Sequence, residues 1–380
     1  MKKDLRKLAI TLLTVILVSI IYIDYGYKNN AFGNYFGENN TSNKADNLKD
    51  LVFNGDLIGY NELKNLKDSG IKKTSFKSNS LYYPYYELLS AKEKKLYGQI
   101  YENCINYKTT FVPNVNVNKD EFIQTIAAVY NDHPEIFWLN TNYSYKYLDN
   151  GKIVQIILSY NYLINDIDNA KNIFEKKINT IVNGANQLST NYDKEKYVHD
   201  YLINNTSYDV NAKINQSAYS AIVNGRSVCA GYSRAFQYIM NLIGIPTYYV
   251  TGYSSGEHAW NIVKLDDGYY NVDVTWDDKN GISYSYFNLT DNDISSTHKR
   301  RGLSNYIAKC NATNYSVNYT TPEQVEEINE PVVVEQPIIN EQPKVVETPE
   351  ITNNQEVIEQ DLNEELPTDE LIEDNLDEIE

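Results

Sequence analysis

The chain has 380 residues, 42% of them hydrophobic, with three cysteines, four histidines and a formal net charge of −17. Residues 321–380 hold 20 acidic side chains and one lysine, a balance of −19, so the first 320 residues are nearly neutral at +2. A neutral body of this size suits one or two packed domains and offers no basic field for nucleic acid, while Cys104, Cys229 and Cys310, with no C-x-x-C among them, provide neither a disulfide framework nor a zinc site.

The N-terminus reads MKKDLRKLAITLLTVILVSIIYIDYG, four basic residues and then an uncharged run of 16 from Leu8 to Ile23. Bulky Tyr22, Ile23 and Tyr25 follow, with no small-residue cleavage site. This pattern predicts a signal-anchor over 1–23, with the N-terminus cytoplasmic and the rest of the chain outside; the alternative is a cleaved signal peptide and a secreted protein. Residues 24–80 are rich in Asn, Lys, Ser, Asp and Gly and read as a linker, with a short helix near Glu62–Lys67.

Residues 81–165 read as an accessory α/β segment. Leu88, Leu89, Leu96, Ile100 and Cys104 recur at three- and four-residue spacing, an amphipathic helix with Cys104 on its buried stripe. A second helix is expected over Lys119–Tyr130. Strands near 138–148 and 153–163 follow, joined by the hairpin signal Asp149-Asn150-Gly151.

Residues 166–320 read as the core. Helices are expected at 167–188 and 192–204, with a short one over Gln216–Val223. A longer helix, Cys229–Leu242, is stopped by Gly244 and Pro246. Strands Thr247–Thr251, His258–Leu265 and Tyr269–Trp276 complete an α-then-β unit, the last two joined by Asp266-Asp267-Gly268. Beyond Thr320, Pro, Glu, Gln and Asn with isolated aliphatics cannot bury a core, and 321–380 reads as a disordered acidic tail.

A thiol nucleophile needs a stabilised thiolate, a base to share its proton, and a group that orients the base. Cys229, in SVCAGYSRAF, opens a helix, where backbone N–H groups and the macrodipole favour negative charge. Ala230 and Gly231 beside it leave room for a substrate. His258 opens a strand after the small loop SSGE, with Trp260 on the same face to shield it. Asp273 lies between Val272 and Val274, where a carboxylate is costly without a partner. With Asp266-Asp267 in the turn, residue i pairs with 533−i, which sets Asp273 opposite Trp260 and one diagonal step from His258. Tyr208 and Tyr219 are upstream candidates for an oxyanion donor, though core packing is the expectation for both. His199 is expected on a partly buried helix face, His133 as structural within an aromatic cluster, and His298 in an exposed basic loop with Lys299, Arg300 and Arg301.

The order Cys229, His258, Asp273, with SVCAGYSRAFQYIMNLIGIPTYYVTG, HAWNIVKLDDGYYNVDVTWDD and YFNLTDND, resembles the transglutaminase-like superfamily over about residues 190–300. The likeness is to bacterial extracytoplasmic members, similar to kyphoscoliosis-peptidase-like and, distantly, papain-like thiol enzymes. NDHPEIFWLN resembles the accessory segment that precedes such cores. The resemblance implies an α+β, papain-like fold with a nucleophile helix packed on an antiparallel sheet. It implies Cys229 as nucleophile, His258 as general base and Asp273 as its orienter; no cofactor is expected, and no calcium loop or other metal-ligand set is evident in the sequence. The expected activity is attack on amide or peptide carbonyls of protein or peptide substrates, in hydrolysis or in transfer to an amine. A non-catalytic cell-surface binding module on the same fold is the competing expectation.

Overall fold

The computed structural model describes residues 51–316. The apolar run at 1–23 and the acidic tail at 321–380 lie outside them. Among the described residues no helix is long and apolar enough to cross a membrane.

The chain enters through β1 (Val52–Leu57) and a 3₁₀ turn at Tyr60–Asn65. Then come α1 (Pro84–Leu88), α2 (Ala91–Ile105), β2 (Thr110–Phe111), α3 (Lys119–Asp132), β3 (Leu139–Tyr147) and β4 (Ile153–Tyr160). These strands form a sheet in the order β1-β3-β4-β2, with β1 parallel to β3. Both longer helices begin in capping boxes, Ser90 with Glu93 and Asn118 with Glu121, so their first-turn donors are satisfied locally.

The linker expected over 24–80 is corrected within its described part. Residues 52–57 pair with Asn142–Tyr147, and Phe76 packs among Tyr83, Tyr86, Tyr97 and Tyr101. The polar composition is used rather than solvated: Glu102 Oε1 accepts from the Ser75 amide and hydroxyl, and Asn103 Oδ1 from the Ile71 amide. Composition alone reads such a segment as loop because its partners lie tens of residues away.

The core follows with α4 (Ile167–Ala185), α5 (Asn191–Asn205), β5 (Ser207–Tyr208), a helical turn at 218–224 and β6 (Arg226–Ser227). It continues with α6 (Cys229–Leu242), β7 (Thr247–Tyr253), β8 (Glu257–Lys264), β9 (Tyr269–Val272), α7 (Val274–Asp277), α8 (Asp291–Ile294) and β10 (Lys299–Arg300). The second sheet is antiparallel, ordered β10-β7-β8-β9. The fold is α+β, with α6 laid on this sheet.

The apolar stripe of α6, Phe236, Ile239 and Met240, is fully buried. Ser233 Oγ donates to the Ala259 carbonyl at 3.0 Å, and Asn261 Nδ2 donates to the Ser233 carbonyl at 2.9 Å, which fixes the helix against β8. On its other side Arg234 and Gln237 donate to the carbonyls of Tyr130, Asn131 and His133 at the C-terminal end of α3. Those carbonyls have no acceptor role within α3, and a guanidinium complements the negative end of its dipole. Gly244, at φ +85°, ends α6 in the left-handed conformation.

Candidate active site

Cys229 is the first residue of α6, preceded by Val228 in extended backbone. No side chain caps this helix end; the Gly231 amide donates to the Val228 carbonyl at 2.9 Å, which leaves the Cys229 and Ala230 amides for another acceptor. The approach is held by the 209–217 loop: Asn215 O accepts from Ser227 Oγ at 2.6 Å and from the Val228 amide at 3.3 Å. Gly231 serves this loop rather than a substrate. A Cβ there would lie 1.8 Å from Ser227 Oγ and within 3 Å of the Asn215 and Ser217 carbonyls, so the expected substrate space beside Gly231 is already filled.

His258 is the second residue of β8, opposite Gly252 of β7. The β8–β9 ladder pairs Asn261 with Val272 and Ile262 with Asn271, the register expected from the turn. The strand expected to run to Trp276 stops at Val272. There Asp273 turns to cap α7, its Oδ1 accepting from the amides of Thr275 at 3.0 Å and Trp276 at 3.1 Å. A short carboxylate that can bond the amides two and three residues on favours a helix start over a continued strand.

The other Asp273 oxygen, Oδ2, accepts from His258 Nε2 at 2.6 Å and from His298 Nε2 at 2.9 Å. The Cys229 thiol lies near enough to His258 to favour its protonated form. With Nε2 engaged by Asp273, Nδ1 is the ring nitrogen left for sulfur. The structure thus joins His258, Asp273 and His298 by hydrogen bonds, with the Cys229 thiol beside His258.

Burial opposes a charged imidazole, but the Asp273 carboxylate and then the Cys229 thiol outweigh it, and His258 is raised to about 10. Burial alone would push Asp273 upward; His258 and His298 instead hold its carboxyl below the usual carboxylate range. The Trp260 ring lies 6.1 Å from the imidazole and nearly parallel to it, and Trp276 lies 5.9 Å away. Asp273 and Cys229 have no exposed surface, and His258 retains 8%.

His298 is the residue that sequence reasoning missed. It is buried, not exposed, because α8 and β10 fold its flanking segment onto the edge of β7, turning Lys299 outward and His298 in. No local periodicity marks the stretch after Thr290, and three adjacent basic residues mask the histidine. His258, Asp273 and His298 offer ligand atoms within 4.8 Å of one another, the donor types of a transition-metal site. Each of those atoms is already engaged by another of the set.

The remaining candidates lie elsewhere. His199 is fully buried rather than partly: its Nε2 meets Asp277 Oδ2 at 3.3 Å and its Nδ1 meets Asp200 Oδ1 at 2.9 Å, tying α5 to α7. His133 lies between Glu135 and the Tyr97 hydroxyl, ringed by Phe76, Tyr83 and Tyr101. Tyr219 stacks in the core on Phe174, whereas Tyr208 is 52% exposed beside β6, paired in register with Ser227. Partial burial, with Cys229 and Asp273 nearby, pushes the Tyr208 hydroxyl up to about 12.

Residues 179–274 match the model of the transglutaminase-like superfamily, a segment that contains Cys229, His258 and Asp273 and ends before His298. The matched segment lies within the α+β core, in which a helix is laid on an antiparallel sheet. Among solved structures it is similar to that of a TGase, at 16% identity over 50% of this chain and 55% of that one, TM-score 0.26. A protein from Cytophaga hutchinsonii described as a candidate cysteine protease is similar at 17% identity over 33% of this chain and 51% of that one, TM-score 0.25. A candidate protease from Parabacteroides distasonis is similar at 11% identity over 40% of this chain and 32% of that one, TM-score 0.23. The chain spans about half the length of the first two and a third of the last. No curated protein matches the chain significantly.

Proposed function

We propose that this is a thiol enzyme that attacks amide or peptide carbonyls of protein or peptide substrates through Cys229, His258 and Asp273. The observation that carries the reading is that His258, beside a thiol at the start of α6, is bonded to a buried carboxylate anchored by backbone amides. A carboxylate so placed selects the Nε2–H tautomer and leaves Nδ1 facing sulfur.

In the acylation step Cys229 Sγ bonds to the carbonyl carbon while its proton passes to His258 Nδ1. The oxyanion is met by first-turn amides of α6, with the Tyr208 hydroxyl as a further donor. Collapse breaks the C–N bond, His258 returns the proton to the leaving amine, and a thioester remains. Water or a second amine then gives its proton to His258, bonds to the acyl carbon and releases Cys229.

The basic and then apolar N-terminal sequence supports an extracytoplasmic placement through a membrane anchor or by secretion. A binding module on the same fold is favoured by one observation, the complete burial of Cys229. As a test, the purified protein is incubated with casein and a labelled primary amine. Amine incorporation or new peptide fragments are expected, and both should vanish in Cys229→Ala. Neither product from the wild-type protein, together with alkylation of Cys229 no faster than that of a model thiol, would leave the binding reading.

A further inference from the structure

His298 reaches the site from outside the segment that matches the family model. The helix α8 places it, with the His298 amide donating to the Ile294 carbonyl at 2.9 Å, and β10 then carries the chain along β7. Gly252 admits this approach: a Cβ there would lie 2.1 Å from the Lys299 carbonyl and 2.6 Å from the Trp260 ring. The imidazole ends up between Trp260, Trp276 and Tyr286, at centroid distances of 5.0, 4.9 and 5.4 Å. Thr297 Oγ1 lies 2.8 Å from its Nδ1. An imidazole costs desolvation in such a place unless its polar atoms are used, and here both are.

We propose that His298 is a positioning residue, which holds the Asp273 carboxylate in place and ionised while the charge on His258 comes and goes. The inference rests on the thiol-enzyme reading above. Four donors meet the carboxylate: two backbone amides on Oδ1, His258 and His298 on Oδ2. Two of the four sit on α7 and cannot follow the substrate. His258 changes charge as it takes and returns the Cys229 proton. When it is neutral, a carboxylate with no exposed surface loses its nearest positive partner. The donor on His298 persists through both states. By sharing Oδ2 it also limits how strongly Asp273 raises His258, so the basicity of His258 is set by the pair of histidines and not by the aspartate alone.

The test needs no knowledge of the substrate. The rate of Cys229 alkylation by iodoacetamide is followed by mass spectrometry across pH in the wild-type protein, His298→Phe and His298→Gln. Besides each other, the titratable groups facing the His258 and His298 rings are Cys229, Asp273 and Tyr286, all unchanged in these variants. Phe keeps a ring and removes the donor; Gln can place an N–H near the position of Nε2. In His298→Phe the limb governed by His258 is expected to move to higher pH by half a unit or more, with the plateau rate at least several-fold lower, and His298→Gln should return both toward wild type. Loss of stability with an unmoved limb in both variants would overturn the proposal and leave His298 a packing residue. A wild-type profile without an imidazole limb would overturn the thiol-enzyme reading itself, and this inference with it. If His298→Phe does not fold, His298→Leu takes its place under the same criteria: a moved limb that His298→Gln restores supports the proposal, and an unmoved limb overturns it.

Discussion

The Arg234 guanidinium lies over the Tyr130 ring, 3.9 Å from its centre, and donates to the Tyr130 carbonyl. One side chain thereby joins the helix that begins with Cys229 to the end of the helix that begins at Lys119. Because Arg234 is 1% exposed, its removal would leave the Tyr130 carbonyl without its donor and the His133 carbonyl with the Ile136 amide alone. Arg234→Ala is expected to destabilise the protein by about 3 kcal/mol. Arg234→Lys should recover only part of that, since an ammonium cannot serve the Tyr130 and His133 carbonyls in one plane. Urea unfolding curves of the two variants decide this.

Gly231 makes a sharper steric prediction. A methyl group at that position would meet Ser227 Oγ and two backbone carbonyls that cannot rotate away. Gly231→Ala is expected to cost roughly 1–3 kcal/mol and to move the 209–217 loop away from the start of α6. The accompanying readout is faster Cys229 alkylation, because the thiol loses part of its cover. An unchanged melting temperature would contradict the geometry.

Glu195 gives a pH-dependent prediction away from the site. Burial raises this carboxyl to about 8, and the Glu195 Oε1 and Asn288 Oδ1 atoms both lack partners. Asn288 Nδ2 donates to Glu195 Oε2 at 3.1 Å, so a proton on Oε1 is what would complete the pair. A folded-state value above the unfolded one means that stability is full below about 4.5 and declines as pH rises toward 8. Glu195→Gln supplies an amide N–H in place of that proton. It should be neutral near pH 4.5 and stabilising by a few kcal/mol above pH 8. Chemical denaturation at the two pH values measures the difference.

His258 has the same sign and a different window. Its folded value near 10 exceeds the ordinary 6.5, so its contribution is complete below 6.5 and is lost as pH rises through 10. Asp273, held low, contributes above the ordinary carboxylate value and loses that contribution as pH falls toward its folded value. Stability from this pair is therefore greatest in the mildly acidic range. His258→Gln should remove the alkaline slope, which unfolding curves between pH 6.5 and 10 would show.

Asp273→Asn separates orientation from burial. The amide keeps the volume, but it loses the charge that meets two histidine donors and can present an N–H where His258 needs an acceptor. Acyl transfer is expected to fall on the order of 10⁴-fold. Folding should be retained, since Oδ1 still accepts from the Thr275 and Trp276 amides. A variant with wild-type turnover would remove Asp273 from the mechanism.

Much of the site could be read in the sequence because its signals are local. Cys229 stands at a helix start, His258 at a strand start, and a DDG turn fixes the β8–β9 register. Asp273 was legible as a buried partner of His258 but not as a helix cap, since an aspartate among valines gives no sign that the strand ends there. The role of His298 is tertiary: its burial depends on β10 pairing with a strand nearly 50 residues upstream. β1 was illegible for a similar reason. It is a parallel edge strand whose residues Asn54–Leu57 are exposed on both faces, so no alternation survives in its sequence.

The position of His298 in the chain also bears on the order of assembly. Cys229 and His258 are joined by neighbouring elements, whereas the second histidine arrives only when the strand at Lys299–Arg300 closes the far edge of the sheet. Contacts of long sequence separation form late. A chain that has folded only as far as α7 would hold thiol, base and carboxylate without the clamp on the carboxylate. Full reactivity then coincides with completion of the domain, and a nascent or truncated chain ending before residue 298 would carry a comparatively inert thiol.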